Sequence, residues 1–227
     1  MPVFASINCI SDGKWVEFTK TIQNAGADAL ELNISMNPLD ISNQEKEKTI
    51  LRIIKKITKT VSIPVVIKIS DRYSNLSHTI PLLSSSGISG ITLFNRFYYP
   101  DIDIYNLSLV QGRMHSVDTD YMRPLRWIAL LSEKIECSII ASSGIHDANT
   151  AIKMLLAGAD AVQIVTTLYL NGKDYIIQML HDLDKWMTEK GLFSIDQFRG
   201  KASYKKAIDP KMYERTQFMK YYGRIGI

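Results

Sequence analysis

Lys68 interrupts an otherwise apolar run, VVIKIS, and of all the residues in the chain it most needs a chemical partner. A buried ammonium is costly without an anion, so a lysine inside a strand end implies either a ligand charge or a nearby carboxylate in a structural ion pair. Asn33 and Asn95 close two comparable runs, DALELN and GITLFN. Each amide offers donors and an acceptor, which suits a planar polar heterocycle and equally suits a turn cap; as a pair on separate strands they favour a site. Two later runs, CSIIASSGI and AVQIVTTL, reach Ser143-Gly144 and Thr166-Thr167, the first just before a helix opened by Asp147. Backbone N–H groups at such turns, with a helix N-terminus behind them, can cradle a phosphate monoester.

These residues need a frame that brings strand ends together. Six apolar runs read as strands, at Pro2–Asn8, Asp28–Ile34, Pro64–Ser70, Gly90–Asn95, Cys137–Ser143 and Ala161–Thr166. They are continuous rather than alternating, as strands buried on both faces should be. Between and after them lie segments with apolar residues at spacings of three and four: 15–24, 44–60, 76–85, 124–134, 149–156 and 174–189. The helix-to-strand junction recurs as AGADAL, SGISGI and AGADAV, with Gly26, Gly87 and Gly158 placed to end each helix in a left-handed conformation. A repeated βα chain with a parallel sheet follows, of the TIM (β/α)8-barrel type. Six βα units can be counted where a closed barrel of this type needs eight. Residues 1–192 form this partial barrel domain, and 193–227 a basic helical extension packed on it. The long connection from Arg96 to Arg123 falls where a barrel places its active-site loops.

The 227 residues are 46% hydrophobic and 22% charged, a composition that excludes disorder and low complexity. No run is long and apolar enough for a membrane span, and the N-terminus lacks a cationic leader. Cys9 and Cys137 sit in apolar runs and read as reduced core thiols of a cytoplasmic protein. The four histidines are too dispersed to ligate a metal. The net charge of +4 is uneven: eight basic residues against Asp209 and Glu214 give residues 199–227 a local excess of +6. With Tyr204, Tyr213, Phe218, Tyr221 and Tyr222 interleaved, this segment could meet an anionic surface; the favoured expectation is an amphipathic helix on the domain, with no nucleic acid and no membrane as partner.

The series PVFASIN, AGADALELNIS, IPVVIKIS, GITLFN and SSGIHDANTAIKMLLAGADAVQIVTTLY, in this order, strongly resembles the dihydroorotate dehydrogenase family, flavoproteins on an FMN-binding (β/α)8 barrel. The resemblance implies an FMN-dependent oxidoreductase of pyrimidine biosynthesis, with hydride transfer from a dihydropyrimidine such as dihydroorotate. It implies that Lys68 contacts the flavin near N1 and O2, where a positive charge stabilises the reduced anionic ring. Asn33 and Asn95 would bind the substrate ring, and Ser143-Gly144 and Val165-Thr166 the two phosphate turns.

The departures from that pattern matter as much. Met36 stands where the family has a cysteine or serine base, and a thioether takes no proton. Ser35 and Ser70 lie nearby but off the motif position. Ser143 and Val165 replace glycines, keeping the backbone donors while reducing room for close phosphate approach. His146 is expected at the surface or behind the site. The resemblance also implies that the two βα units missing from the count are the N-terminal pair, so the expectation is either a fragment or a complementing N-terminal chain, with a homo-oligomer as a further expectation. Two other functions stay open: a truncated, non-catalytic relative that binds no flavin alone, and a flavin-free phosphate-binding barrel enzyme.

Overall fold

A computed structural model describes residues 1–9, 15–34, 43–96 and 98–214. Six parallel strands form one curled sheet: β1 (Phe4–Cys9), β2 (Ala29–Ile34), β3 (Val65–Ile69), β4 (Gly90–Leu93), β7 (Ser138–Ser142) and β8 (Ala161–Gln163). Their spatial order is β1-β2-β3-β4-β7-β8, so each strand pairs with its neighbour in this series. Helices return the chain between them: α1 (Trp15–Asn24), α2 (Asn43–Thr58), α3 (Leu76–Ser84), α4 (Met122–Leu131) and α5 (Ala148–Ala157). After β8 come α6 (Thr166–Asn171) and α7 (Tyr175–Glu189). The architecture is a partial α/β barrel, and the six expected strands and the six helices expected between residues 15 and 189 are present within a few residues of their expected bounds; the helical extension expected over 193–227 is not borne out over 193–214, and 215–227 lie outside the described residues. Among the described residues, β1 and β8 each pair with one neighbour only.

The two faces of the sheet carry different residues because side chains alternate along a strand. Leu30, Leu32, Ile67, Ile69, Ile91 and Leu93 are fully buried and join Ile50, Ile54 and Ile57 of α2 in one hydrophobic core. Burying each such side chain contributes about 1.5–3 kcal/mol. The alternate positions include Glu31, Asn33, Lys68, Thr92 and Ser142, all polar, beside Val66 and Ile140, and Asn33 and Lys68 are the residues of β2 and β3 that keep partial access to solvent. This polar face lines the inside of the partial barrel.

The repeated junctions work as expected: Gly26, Gly87 and Gly158 have φ of 93°, 90° and 115°, a region that only glycine enters freely. The aspartate in two of the copies has its own task. Asp28 accepts from the Val3 N–H at 2.7 Å, and Asp160 accepts from the Ile139 N–H at 2.8 Å, so each carboxylate satisfies the first free donor of the neighbouring strand. Asp147 opens α5 by accepting from the Thr150 N–H at 2.7 Å.

The connection from Arg96 to Arg123 holds an antiparallel hairpin, β5 (Pro100–Asp103) and β6 (Ser108–Gln111). Its strands are too short and too mixed in polarity to stand out as buried runs; Ile102, Ile104, Tyr105, Leu107 and Leu109 are all exposed. At the other end, residues 193–214 contain a 3-10 turn, Ile195–Gln197, tight turns, and only a four-residue helix, α8 (Lys211–Glu214). They lie against the barrel through backbone bonds from Gly200 to Leu155, Ala202 to Leu156 and Tyr204 to Ala129. Phe198, fully buried, meets Trp186 edge to face at 5.0 Å. Phe218, Tyr221 and Tyr222 lie outside the described residues.

Candidate functional site

Strand register sets the site. Asn33 lies opposite Lys68 across the β2/β3 ladder, and Lys68 opposite Thr92 across β3/β4. Asn95, two residues past β4, donates from Nδ2 to Asn33 Oδ1 at 2.8 Å. The two asparagines therefore share one locus at the C-terminal mouth of the sheet, where a parallel barrel binds its ligand.

Lys68 has found the carboxylate that its position demands. Its Nζ donates to Gln163 Oε1 at 3.0 Å and stands 3.8 Å from Glu31 Oε1. Glu31 is 4% exposed and accepts from Ser6 Oγ at 2.8 Å, Thr92 Oγ1 at 2.9 Å and Gln163 Nε2 at 2.7 Å. Strands β1, β3, β4 and β8 thus each send a side chain to one carboxylate on β2. Lys68 itself keeps 16% of its side chain exposed, which leaves its ammonium accessible from the mouth. A charge within an apolar strand is what marks Lys68 in the sequence. The same rule picks out Glu31 in DALELNI, and sequence reasoning leaves it out.

A cavity of about 420 Å³ opens beside this group, lined by Lys68, Asn95, Gln163, Ser143, Gly144 and Thr166 among others. It brings together six of the seven residues expected at the site, Val165 included; Asn33 does not line it and joins it through Asn95. Ser143 holds φ at 82°, a glycine-like conformation carried by a serine whose hydroxyl donates to the Phe94 carbonyl at 3.2 Å. Gly144 follows with φ at 71°, and a Cβ there would come within 2.3 Å of the Tyr121 nitrogen. Val165 has a φ of −132°, which no side chain resists, and is exposed. Thr166 begins α6 rather than ending β8, and its Oγ1 accepts from the Ser116 N–H at 3.2 Å. Met36 and Ser35 lie outside the described residues. Ser70 accepts from the Arg72 N–H at 3.3 Å.

The long loop closes over this cavity through residues that no motif announces. Arg96 reaches Asp120 Oδ2 at 2.8 Å, the Arg113 carbonyl at 3.0 Å and the His115 carbonyl at 2.7 Å. Asp120 also accepts from the Val117 N–H at 3.0 Å. His146, expected behind the site, sits with Nε2 2.9 Å from Ser116 Oγ, and its carbonyl accepts from Thr167 Oγ1 at 2.9 Å. A second cavity of about 300 Å³ shares Asn95, Arg96 and Ser143 with the first and is walled by Asp71, which pairs with Arg123. No cluster of metal-ligating side chains occurs among the described residues. No helix among them is long and apolar enough to cross a membrane.

The donor set fits a flavin mononucleotide. A cation and two side-chain amides line the cavity together with the polar turns at 143–145 and 165–166, and its volume lies within the range of cofactor pockets.

A curled parallel sheet with a polar mouth, a lysine on one strand and turns suited to a phosphate on two others defines a barrel of the cofactor- or phosphate-binding kind. Comparison with known proteins narrows the class. The family described as dihydroorotate dehydrogenase matches residues 1–187, and the chain belongs to that family. A protein of Aeropyrum pernix assigned as dihydroorotate dehydrogenase A (fumarate) is 26% identical over 89% of this chain and 68% of its own length. The catalytic subunit of dihydroorotate dehydrogenase B (NAD(+)) of Pyrococcus furiosus is 25% identical over 88% of this chain and 69% of its own. The crystal structure of the dihydroorotate dehydrogenase of Eimeria tenella with ferulenol shares the fold, with a TM-score of 0.64 at 16% identity. That match covers 84% of this chain and 58% of the other. The chain thus spans a little over two thirds of those two relatives and less than two thirds of the solved structure.

Proposed function

We propose that this chain carries the substrate and flavin face of an FMN-dependent oxidoreductase that oxidises a dihydropyrimidine such as dihydroorotate, in pyrimidine biosynthesis. The observation that carries the reading is the convergence of Lys68, Asn95 and the 143–145 and 165–166 turns on one cavity, with Asn33 bonded to Asn95. When bound, FMN supplies the hydride acceptor. Lys68 would offer its ammonium to the electron-rich edge of the flavin ring, and the backbone donors at Ser143, Gly144 and Thr166 would take the phosphate. Asn33 and Asn95 would orient the substrate ring by their amides. Met36 takes no proton, so turnover relies on water or on a substrate whose oxidation needs no base there.

Reconstitution with FMN tests the reading. Anaerobic addition of dihydroorotate is expected to bleach the visible flavin absorbance. Bound flavin that stays oxidised with dihydroorotate and with other dihydropyrimidines overturns the substrate assignment.

A second reading, a non-catalytic relative that binds no flavin alone, is favoured by the outer edges of β1 and β8, which have no strand partner among the described residues. It predicts a colourless protein whose flavin affinity appears only with a complementing chain. The same edges, and the exposed apolar hairpin β5–β6, support association with such a chain or with a second copy. A cytoplasmic location accords with Cys137 being a free thiol.

A further inference from the structure

We propose that Glu31 is a positioning residue that sets where the Lys68 ammonium stands and how much of its charge reaches the ligand; this rests on the flavin reading above.

A buried carboxylate costs several kcal/mol unless it is fully partnered. Glu31 is partnered on every side: by Ser6 and the Lys68 ammonium at Oε1, and by Thr92 and Gln163 at Oε2. Three of these donors are neutral, so they hold the carboxylate in place without cancelling its charge. Gln163 works as a two-ended link. Its Oε1 accepts from Lys68 at 3.0 Å and its Nε2 donates to Glu31 at 2.7 Å, which fixes the amide orientation and keeps the ammonium 3.8 Å from the carboxylate instead of in tight contact. The result is a cation held at the cavity wall and only partly compensated from behind. A fully neutralised lysine would give a ligand a hydrogen bond but little field; an uncompensated one would bind an anionic ring far more tightly than a neutral one. The spacing fixed by Gln163 places Lys68 between these limits.

The test compares affinities of the protein for oxidised and reduced FMN under anaerobic conditions. In Glu31→Gln, loss of the negative charge is expected to raise the ratio of reduced-form to oxidised-form affinity at least fivefold. In Gln163→Met, of similar length but unable to hold the pair apart, the ammonium closes on Glu31 and the ratio is expected to fall. A purely structural role for Glu31 would change both affinities together and leave the ratio within a factor of two, and that result overturns the proposal. If Glu31→Gln does not fold, the Gln163→Met ratio decides alone, and an unchanged or raised value overturns the proposal. Wild-type protein that binds neither form, in the presence of any complementing chain, overturns the flavin reading and the proposal together; binding with an unmoved ratio overturns the proposal only.

Discussion

Asn95 donates its side-chain amide to the carbonyl of Asn33 across 2.8 Å, which joins the ends of β4 and β2 without a backbone ladder between those two strands. The bond fixes the amide orientation of both residues: among the described residues, the Asn95 carbonyl and the Asn33 amide have no other side-chain bond and face a ligand.

Replacing Asn95 with Ala removes one recognition group and leaves Asn33 unanchored. The expected outcome is a substrate KM raised about tenfold or more, corresponding to the loss of about 1–2 kcal/mol of hydrogen bonding. Thermal unfolding should move little, because the residue is only half-buried. Steady-state kinetics alongside calorimetry separates the two effects.

Gly158 and Gly26 occupy the same position in two copies of one junction, yet their surroundings differ. A Cβ at Gly158 would lie 2.4 Å from the Ser132 Cβ, whereas nothing lies within 4 Å of one at Gly26. Gly26→Ala should cost about 1–2 kcal/mol, the price of a left-handed alanine. Gly158→Ala should cost clearly more, since the clash with α4's C-terminal turn adds to it. Chemical denaturation of the two variants is the measurement.

Arg96 holds residues 113–120 by three hydrogen bonds. Arg96→Ala should free this loop, and trypsin should then cleave after Arg113 about ten times faster than in the wild type, for an opening penalty reduced by about 1.4 kcal/mol. Asp120→Asn, which keeps the shape and loses the ion pair, should give a smaller increase. Mass spectrometry of timed digests reads both.

Alkaline pH should destabilise the fold through two half-buried acids. Burial raises the Tyr73 phenol to about 12, with the Glu47 carboxylate adding to the effect, and burial raises the Cys137 thiol to about 11. Each group holds its proton more tightly when folded. Their contribution is therefore complete below the unfolded values near 9 and 10 and is lost as pH rises toward 11 and 12. Tyr73→Phe should flatten the upper part of that decline, as followed by denaturation midpoints between pH 8 and 11. Alkylation of Cys137 in the folded protein should be slow at pH 8.

Much of the fold was legible because its signals are local. Apolar runs of strand length, three-and-four spacing and the recurring glycine each depend on a few adjacent residues, and the αβ junctions carry the positive φ that their sequence required. The hairpin was not legible, since β5 and β6 bury almost nothing and so leave no apolar pattern. The run 193–214 reads as helical by composition but is held by long-range bonds to Leu155, Leu156 and Ala129, which override local preference. At the site, Lys68, Asn33 and Asn95 were visible as polar interruptions at strand ends. Glu31 carried the same mark. Its bonding to Ser6, Thr92 and Gln163 spans 25, 61 and 132 residues, and distances of that kind are written in no single segment. The loop partners Arg96 and Asp120, 24 residues apart, were hidden for the same reason.

The polar cluster inside the sheet also constrains the order of assembly. Strands β1 to β4 can zip together pairwise, each step closing a short loop. Gln163 comes from β8, the last in sequence of the six parallel strands. Until it arrives, Lys68 and Glu31 face each other without their spacer, and two charged groups wait in a half-built interior open to water. A chain without β8 docked would keep its four leading strands paired and lose the spacer that sets its ligand-facing lysine.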